Sequence, residues 1–326
     1  MDKALVSILI NAHNSERYIG EAIDSALAQT WPNFEIVIVE DASTDRTAEI
    51  IKSYNDPRIR YFHNDHNQGI VGSRNQLLKE AKGEFFTWLD ADDIYLPDRV
   101  QAEVEFLEAH PEFAGVYSNI LYFFDGPLDS ARGRAPVKFY RHIYEHWSGD
   151  IFGELLKKMF ITNSAFMMRR SAYEKLGGFN PATGMVEDWE YFLRMAHNGM
   201  QIGFLDKDLI KYRLRFDSHT NFARQVDVKK SQVKIFENLK QQMTPDEREK
   251  WHIDYWIDQR KSNLIFTLLA AGKSTEAKEI FAEIKRNMSF KRHLAFSVLQ
   301  YCPAAILRTG IEYAWNRRKK HLFVPA

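Results

Sequence analysis

"FFTWLDADDIYLPDRV", residues 85–100, changes character in the middle of the stretch. Four of its first five residues are apolar, as in a buried β-strand. Three aspartates follow at once: Asp90, Asp92 and Asp93. Carboxylates this close raise the cost of ionising one another unless a cation or several hydrogen-bond donors lie among them. The stretch therefore predicts a strand whose carboxyl end binds a positively charged group.

Around this stretch, short apolar runs alternate with helical patterns through the first 120 residues. The strand-like runs cover residues 5–10, 34–39, 59–62, 85–89 and 113–117. Alternation at this spacing predicts a Rossmann-like α/β fold, with a mostly parallel sheet and helices on both faces. Ligands bind such sheets outside the carboxyl ends of the strands. The loops that carry Asp41 and the three aspartates are therefore expected to hold the site.

The composition bounds the class of protein. A chain of 326 residues favours a main domain with a substantial second part. Cys302 is the single cysteine, so no disulfide can form within the chain, and a reducing cytoplasm is the simplest compartment. Basic and acidic residues number 44 each, which removes a global electrostatic argument for a nucleic-acid partner. Because no run of about 18 uncharged apolar residues occurs, we expect a soluble or peripheral protein.

The middle of the chain has two patterns. Residues 121–150 lose the alternation and mix glycine, proline and charge, as an excursion beside a site would. Residues 151–220 regain it, with a helix predicted over 151–160 and a strand over 164–168. The segment EDWEYFLRMAHNG predicts a further helix, headed by Glu187 and Asp188.

The C-terminal part predicts a helical region. Residues 222–286 contain several helical patterns, one of them over 244–260 with Thr244 as its cap. The last two patterns are separated by a break at Gly272 and resemble an antiparallel hairpin. Residues 285–320 are basic and amphipathic, with a break at Pro303. Two interpretations of this tail are open: it lies on an anionic membrane surface, or its apolar face packs on the preceding helices.

Helix capping is the alternative explanation for several of the acids. Ser43 or Thr44 could cap the helix after the second strand, and Asp45 is a further candidate. Asp93 and Asp188 could likewise cap the helices that follow them. One helix needs only one cap, so capping does not account for three adjacent aspartates.

An Asp-x-Asp pair at a strand end can hold a hard divalent cation that keeps coordination positions open for phosphate.

Five segments together resemble family 2 glycosyltransferases in their order and spacing: VSILINAHNSERYIGEAIDSALAQT, FEIVIVEDASTDRT, NQGIVGSRNQLLKEAKGEFFTWLDADD, RRSAYEKLGGFN and EDWEYFLRMAHNG. The resemblance covers residues 4–220 and implies a GT-A fold. It implies a nucleotide-binding half over 1–120 and an acceptor-binding half over 121–220, followed by a helical extension over 221–326.

The resemblance also implies a role for individual residues around the nucleotide. Asp41 would contact the base edge of a uridine nucleotide, and Asn11 would lie under the nucleotide. His13 stands where an aromatic residue is common, and it could stack on or border the base. Arg74 matches the basic residue near the nucleotide, and Asp90 would reach the ribose or uridine side.

The remaining implied roles concern the metal and the base. Asp92 would ligate Mn²⁺ or Mg²⁺ bridging the two phosphates, and His219 falls where some relatives supply a further metal or phosphate contact. Asp188 matches the general base, with Glu187 beside it. The usual pair after the second strand is two aspartates, so Glu40 departs from the pattern and its role is open.

The predicted function is inverting, metal-dependent transfer of a sugar from a UDP-sugar to a saccharide or lipid-linked saccharide, in surface polysaccharide synthesis. This is a hexosyltransferase activity, expected in the cytoplasm with a possible peripheral contact with the inner face of the plasma membrane. Two alternatives stay open: a transferase of the same fold that uses another activated donor, and a catalytically silent nucleotide-binding module. The sequence identifies neither the sugar nor the acceptor.

Overall fold

The computed structural model describes residues 3–124, 140–142, 145–214, 222–287, 296, 298–302, 307 and 323–325. By internal contacts the chain divides into two compact units. The sheet unit comprises Met1–Pro181, Tyr191–Arg215 and Phe323–Ala326. The helical unit comprises Ala182–Glu190 and Phe216–Leu322.

The first four strands of the sheet unit are parallel neighbours. They are β1 (Val6–Ala12), β2 (Phe34–Asp41), β3 (Ile59–Asn64) and β4 (Phe85–Asp90), in the spatial order β3-β2-β1-β4. A helix follows each of the first three: α1 (Ile19–Leu27), α2 (Thr47–Lys52) and α3 (Gly69–Glu80). The near-continuous apolar runs suit strands that are buried on both faces. The alternation predicted from the sequence is confirmed here.

Antiparallel strands extend the sheet beyond β4. The remaining elements of the sheet unit are β5 (Ile94–Tyr95), α4 (Arg99–Ala109), β6 (Phe113–Phe124), β7 (Tyr140–His142), α5 (Phe152–Lys157), β8 (Phe166–Arg169), α6 (Arg170–Leu176), β9 (Gln201–Leu214) and β10 (Phe323–Pro325). β8 is antiparallel to β4 and β6, and β7 is antiparallel to β6 and β10. β9 runs parallel to β6 and antiparallel to β5. The sheet is mixed, and β1 to β4 form its all-parallel part.

Helices cover both faces of the sheet. On one face, Ile8 of β1 shares a core cluster with Ile23 of α1 and Val104 of α4. On the other face, Phe86 of β4 contacts Tyr173 of α6, with ring centroids 5.8 Å apart. Successive strand residues point to opposite faces, so each strand contributes to both layers. The predicted α/β class is confirmed.

Three predicted elements differ from the structure in their bounds or continuity, and four strands were not predicted. The unpredicted strands are β5, β7, β9 and β10. The helix predicted over 151–160 covers only Phe152–Lys157. The strand predicted from residue 164 begins at Phe166, because a 3₁₀ turn, Asn163–Ala165, comes first. The helix predicted through residues 244–260 is interrupted, because His252 has a left-handed backbone with φ 49°.

The helical unit begins with the predicted helix α7 (Glu187–His197), whose C-terminal part belongs to the sheet unit. The unit also contains α8 (Phe222–Gln242), α9 (Pro245–Lys250), α10 (Ile253–Ala270) and α11 (Ser274–Ile284). Thr244 caps α9 through a reciprocal pair of hydrogen bonds with Glu247. Gly272, with φ 75°, lies in the turn between α10 and α11. Both features match the prediction from the sequence.

Part of the C-terminal tail packs on the helical unit. The ring of Phe296 stacks on that of Phe281 at 3.9 Å, and Phe296 is buried. Leu299 and Leu307 pack against the same cluster. The basic residues at positions 291–320 lie outside the described residues. Among the helices that are described, none has the length and apolar character needed to cross a membrane.

Candidate functional site

The parallel register brings the carboxyl ends of three strands together. Asn11 of β1 is aligned with Asp90 of β4 on one side and with Val39 of β2 on the other. Neighbours in register project to the same face of a sheet. Asp41 ends β2 two residues beyond Val39. Three residues predicted from the sequence therefore lie along the edge where open α/β sheets bind ligands.

Asp41 is buried at this edge and is only 2% exposed. Its Oδ1 accepts hydrogen bonds from Asn64 Nδ2 at 2.9 Å and from the backbone N–H of Gln68 at 2.8 Å. Within the described part of the chain, Oδ2 receives no donor. One oxygen therefore anchors the carboxylate near the start of α3, and the other is left for a ligand N–H.

His13 borders Asp41 from the loop after β1. Its Nδ1 lies 2.7 Å from the carbonyl oxygen of Asp41, so Nδ1 must donate, because a carbonyl only accepts. Asn67 Nδ2 lies 3.3 Å from Nε2 of the same ring. The backbone N–H of Asn14 donates to Ser43 Oγ at 3.0 Å, which ties the loop after β1 to the loop after β2. The exposed imidazole is thus held beside the Asp41 backbone.

Glu40, which departs from the aspartate pair of the resemblance, has a structural position. Its side chain is fully buried and accepts hydrogen bonds from Ser43 N–H and His63 Nδ1. Burial raises the pKa of Glu40, but the hydrogen bonds from Ser43 and His63 lower it overall below its ordinary value. Glu40 therefore stays ionised and anchors the loop that follows Asp41.

Asp90 connects α3 to the turn before β8. Arg74 Nη2 lies 3.4 Å from Asp90 Oδ1, and Ser164 Oγ donates to Asp90 Oδ2 at 2.8 Å. Arg74 is 4% exposed, and its guanidinium lies 5.6 Å from the ring centroid of Phe179. The predicted basic residue is therefore present at the site as the ion-pair partner of Asp90.

Residues 90–93, which we call the acid loop, are held by Arg213 at the end of β9. The backbone N–H of Arg213 donates to Asp93 Oδ1 at 3.0 Å, and its Nε donates to the carbonyl oxygen of Asp92 at 2.8 Å. The guanidinium lies 4.7 Å from the ring centroid of Tyr18 and 4.6 Å from that of Phe123. Burial, followed by the charges of Asp92 and Asp90, raises the pKa of Asp93 well above its ordinary value. The loop is charged, crowded and rigidly supported.

The structure also resolves the capping alternatives. Arg46 is the N-cap residue of α2, and Asp45, the residue before it, accepts at Oδ1 from the backbone N–H of Thr47 at 2.9 Å. Asp93 does not cap α4, which begins six residues later. Asp188 is the second residue of α7, and its Oδ1 accepts from the backbone N–H of Trp189 at 2.7 Å. Asp188 therefore satisfies one first-turn amide without being the N-cap residue.

Several buried polar atoms near this edge have no hydrogen-bond partner within the described residues. They are Asn11 Oδ1, Ser73 Oγ, Asp93 Oδ2 and Asn163 Nδ2. Ser73 precedes Arg74 on α3, and Asn163 precedes Ser164. A buried polar group left unpaired costs about 1–3 kcal/mol. Their concentration around the acid loop favours a polar ligand that supplies the missing partners.

The side chains fit a metal that arrives with a ligand, and they do not fit a closed protein cage. In the described ranges, no group of three or more His, Cys, Asp or Glu side chains is arranged to hold a metal ion. Mg²⁺ sites commonly use one or two carboxylates plus substrate phosphates. Asp92 is half-buried, and its charge is one of the causes that raise the pKa of the neighbouring Asp93. His219, the other predicted metal contact, lies outside the described residues.

Sequence reasoning missed three residues that adjoin the acid loop. Ser164 hydrogen-bonds to Asp90, and Arg213 supports Asp92 and Asp93. Burial and the charges of the acid loop raise the pKa of Tyr212 well above its ordinary value. No local pattern in the sequence marks any of the three, because each reaches the loop from a distant strand or turn.

Comparison with known proteins gives a consistent result. Residues 7–177 match the family described as Glycosyl transferase family 2. Over 115 residues, 35% of this chain and 45% of the relative, the sequence is 41% identical to the UDP-Glc:alpha-D-GlcNAc-diphosphoundecaprenol beta-1,3-glucosyltransferase WfaP of Escherichia coli. The chain thus spans less than half of that relative.

Two solved structures share the fold at low sequence identity. S. aureus TarS 1-349 in complex with UDP-GlcNAc superposes with a TM-score of 0.63 at 17% identity, over 89% of this chain and 90% of that chain. The mannosyltransferase PcManGT from Pyrobaculum calidifontis, in complex with GDP-Man and Mn²⁺, gives 0.57 at 18% identity, over 96% and 81%. At these identities the likeness shows the fold alone.

Proposed function

Because this chain belongs to glycosyl transferase family 2, we propose that it transfers a sugar from a UDP-sugar to an acceptor hydroxyl, with inversion at the anomeric carbon. The chain is a glycosyltransferase of GT-A fold, which sets aside the catalytically silent module. The observation that carries the proposal is the set of unpartnered polar atoms around Asn11 and the acid loop. A nucleotide diphosphate supplies donors, acceptors and a metal-binding charge at one place.

The donor half of the proposal rests on Asp41 and its neighbours. Asp41 Oδ2 would accept the N3–H of uracil, while His13 borders the base and Asn11 lies under the nucleotide. Asp90, already paired with Arg74, would accept from the ribose hydroxyls. TarS, whose structure contains UDP-GlcNAc, shares the fold, which supports a UDP-sugar as the first donor to test.

Asp92 would hold Mn²⁺ or Mg²⁺ together with the two phosphates. When bound, the cation offsets the negative charge that develops on the departing diphosphate. The PcManGT structure contains Mn²⁺ on a similar fold. Asp93, whose Oδ1 accepts from the Arg213 backbone, would keep the loop in shape.

The reaction needs one general base on the acceptor side. We assign this role to Asp188, which would take the proton of the acceptor hydroxyl as its oxygen attacks the anomeric carbon. The bond from that carbon to the diphosphate oxygen breaks on the opposite side, and UDP leaves with the electron pair. Glu187, next to Asp188, adds negative charge in the same helical turn, where a helix N-terminus favours it.

For the acceptor we propose a saccharide, free or lipid-linked, used in surface polysaccharide synthesis. WfaP acts, by its name, on a diphosphoundecaprenol-linked sugar. The basic tail at 285–320 would then contact the anionic inner leaflet of the plasma membrane, a peripheral location. The packing of Phe296 on Phe281 favours the competing view that the apolar face of the tail serves the helical unit.

We propose the same division of labour along the chain as the sequence predicts. Residues 1–220 would form the GT-A domain, with 1–120 binding the nucleotide and 121–220 the acceptor. Residues 221–326 would form a helical extension. A different donor, such as a GDP- or dTDP-sugar, is the second candidate, because PcManGT binds GDP-Man on the same fold.

Calorimetric titration of UDP into the protein, first with Mn²⁺ and then with excess chelator, tests the donor and the metal together. We expect binding that needs the metal, and weaker binding of GDP and dTDP. Tighter binding of GDP or dTDP would replace the UDP-sugar proposal with the second candidate. UDP binding that is unchanged by the chelator would remove the metal role of Asp92.

The Asp188→Asn variant tests the base. Asparagine keeps the size and the acceptor oxygen that Trp189 N–H uses, but it cannot take a proton. We expect undetectable turnover with UDP affinity unchanged. Turnover close to that of the wild type would show that Asp188 is not the base.

A further inference from the structure

The residue after the proposed base, Trp189, packs against α8 and α10 within the helical unit. Trp189 is 5% exposed, and its ring meets that of Phe236 of α8 edge to face, with centroids 5.5 Å apart. The guanidinium of Arg260 of α10 lies 4.7 Å from the Trp189 ring centroid and 4.8 Å from that of Phe236. One cation thus lies within contact distance of both rings, and Phe236 is fully buried.

The segment before the proposed base is attached to the same unit. The backbone N–H of Met185 donates to Ser231 Oγ of α8 at 3.3 Å. Gly184 has φ 71°, and a Cβ there would stand 2.4 Å from Ser231 Oγ. A side chain at residue 184 would therefore meet both backbone strain and a clash. The chain on each side of the proposed base is held by α8 and α10.

A buried guanidinium is a costly way to fill a core. Burial lowers the pKa of Arg260 to about 10, and Arg260 is 8% exposed. An aliphatic residue of similar volume would fill the space between two aromatic rings without that desolvation cost. Stacking of a planar cation fixes the orientation of an indole in a way that aliphatic packing does not. The cost is explained if the orientation of Trp189 matters.

We propose that Arg260 is a positioning residue for catalysis: together with Phe236 it fixes Trp189, and through Trp189 it fixes the carboxylate of Asp188. The link is short, because Asp188 Oδ1 accepts from the Trp189 N–H at 2.7 Å. The inference rests on the proposed function in that Asp188 is taken to be the base. It gives α8 and α10 a part in the reaction that neither their sequence nor the family assignment indicates.

The matched variants are Arg260→Met and Lys261→Met. Lys261 is the next residue of α10, and its ammonium pairs with Glu237 and Glu283. Both variants remove one cation from the same helix turn, but only the first removes the contact with Trp189. Turnover is measured as UDP release from the UDP-sugar that supports the fastest rate, and UDP affinity and melting temperature are measured in parallel.

We expect Arg260→Met to lower kcat by up to about 10², the order of loss for a misplaced reacting group, with UDP affinity unchanged. Lys261→Met should keep the wild-type kcat. Because a mispositioned carboxylate changes environment, the acid limb of the pH–kcat profile should also shift in Arg260→Met and not in Lys261→Met. A purely structural role of Arg260 would lower the melting temperature and leave that limb in place.

Arg260→Lys is the control for misfolding, because lysine keeps a cation at this position. It lacks the planar guanidinium that contacts the two rings. Its kcat should lie between those of the wild type and Arg260→Met. A kcat within twofold of the wild type in both Arg260 variants would overturn the positioning role. Running Asp188→Asn alongside separates the two failures: inactive Asp188→Asn with normal Arg260 variants refutes only the positioning role, whereas active Asp188→Asn refutes the base and the positioning role together.

Discussion

The sheet unit contains two buried charged clusters with opposite degrees of satisfaction. Arg99 and Glu103 are both 0% exposed, and Arg99 Nε lies 3.2 Å from each carboxylate oxygen of Glu103. The other Arg99 nitrogens reach Thr87 Oγ1 at 2.8 Å and the Trp88 carbonyl at 3.3 Å. In the acid loop, by contrast, three carboxyl groups adjoin and Asp93 Oδ2 has no partner within the described residues.

How completely its hydrogen bonds are made distinguishes a structural cluster from a functional one better than its degree of burial does. A buried charge with every hydrogen bond made is part of the fold, and removing one partner is costly mainly because of what is left behind. A buried charge with bonds left unmade needs a partner from outside the chain. The two clusters both border β4, so each variant below compares sites in the same part of the molecule.

The largest effect is expected from Asp92→Asn in the acid loop. Loss of the carboxylate should lower turnover by at least about 10³, equivalent to about 4 kcal/mol of transition-state stabilisation. It should also make UDP binding insensitive to Mn²⁺, because the metal would lose its protein ligand. Steady-state kinetics and calorimetry with and without chelator measure the two effects. A variant with Mn²⁺-dependent binding intact would place the metal elsewhere and weaken the comparison.

Arg99→Met should lower the free energy of unfolding by about as much as Asp92→Asn raises the activation free energy. It leaves Glu103 buried without its cation, which we expect to cost about 4 kcal/mol in the free energy of unfolding. The double variant Arg99→Met/Glu103→Leu should recover most of that loss, because no charge remains unpaired. Urea unfolding of both variants measures the difference. Equal stability of the single and double variants would contradict the assignment of this pair to the fold.

The titration of Glu103 should appear in the pH dependence of stability. Burial raises the pKa of Glu103 to about 7 from an ordinary value of 4.5. The folded protein therefore holds this proton more tightly than the unfolded chain does. The resulting stability is complete below pH 4.5 and is lost as the pH rises through about 7.

We expect this loss to reach about 3 kcal/mol, since one pKa unit corresponds to about 1.4 kcal/mol. Glu103→Gln should lack this component. The measurement is the difference in unfolding free energy between wild type and variant from pH 4 to 8. Parallel curves for the two proteins would mean that Glu103 stays ionised throughout and that its pairing with Arg99 is stronger than burial.

The smallest effects come from two serines, one in each cluster. Ser164 Oγ donates to Asp90 Oδ2, and Ser118 Oγ donates to Glu103 Oε1 at 3.3 Å. Each alanine variant should lose about 1 kcal/mol, one in the free energy of UDP binding and the other in the free energy of unfolding. Ser164→Ala should weaken UDP binding about fivefold with little change in stability, and Ser118→Ala should lower stability with UDP affinity intact. If the two variants responded alike, the distinction between the clusters would not hold.

The parallel part of the sheet was predictable because its strands are short, apolar and separated by turn residues. That pattern also predicted the positions of Asn11, Asp41 and Asp90, since the carboxyl ends of parallel strands share one edge. The individual roles of these residues remain predictions. A polar contact at the start of α2 was predictable from the run Ser43, Thr44 and Asp45, although the sequence did not show that Asp45 would make it while Arg46 is the N-cap residue.

The support of the site was not predictable from local sequence. Arg213 lies 120 positions from Asp93, and the sequence around either residue does not predict their contact. β9 escaped detection because its sequence, QIGFLDKDLIKYRL, mixes charged and apolar residues without strict alternation, and its pairing with β6 shifts register. The attachment of Trp189 to Phe236 and Arg260 likewise depends on residues that are distant in the chain.

The pairing of β10 with β7 has a consequence for biosynthesis. Phe323–Pro325 forms an antiparallel pair with Tyr140–His142, so one edge of the sheet joins two segments that are separated along the chain by the helical unit. A ribosome emits the whole helical unit between them. Chains fold as they emerge, N-terminal parts first, so β7 stays at an open sheet edge until β10 has been synthesised. A stalled or prematurely terminated chain would leave that edge exposed for pairing with a second nascent chain.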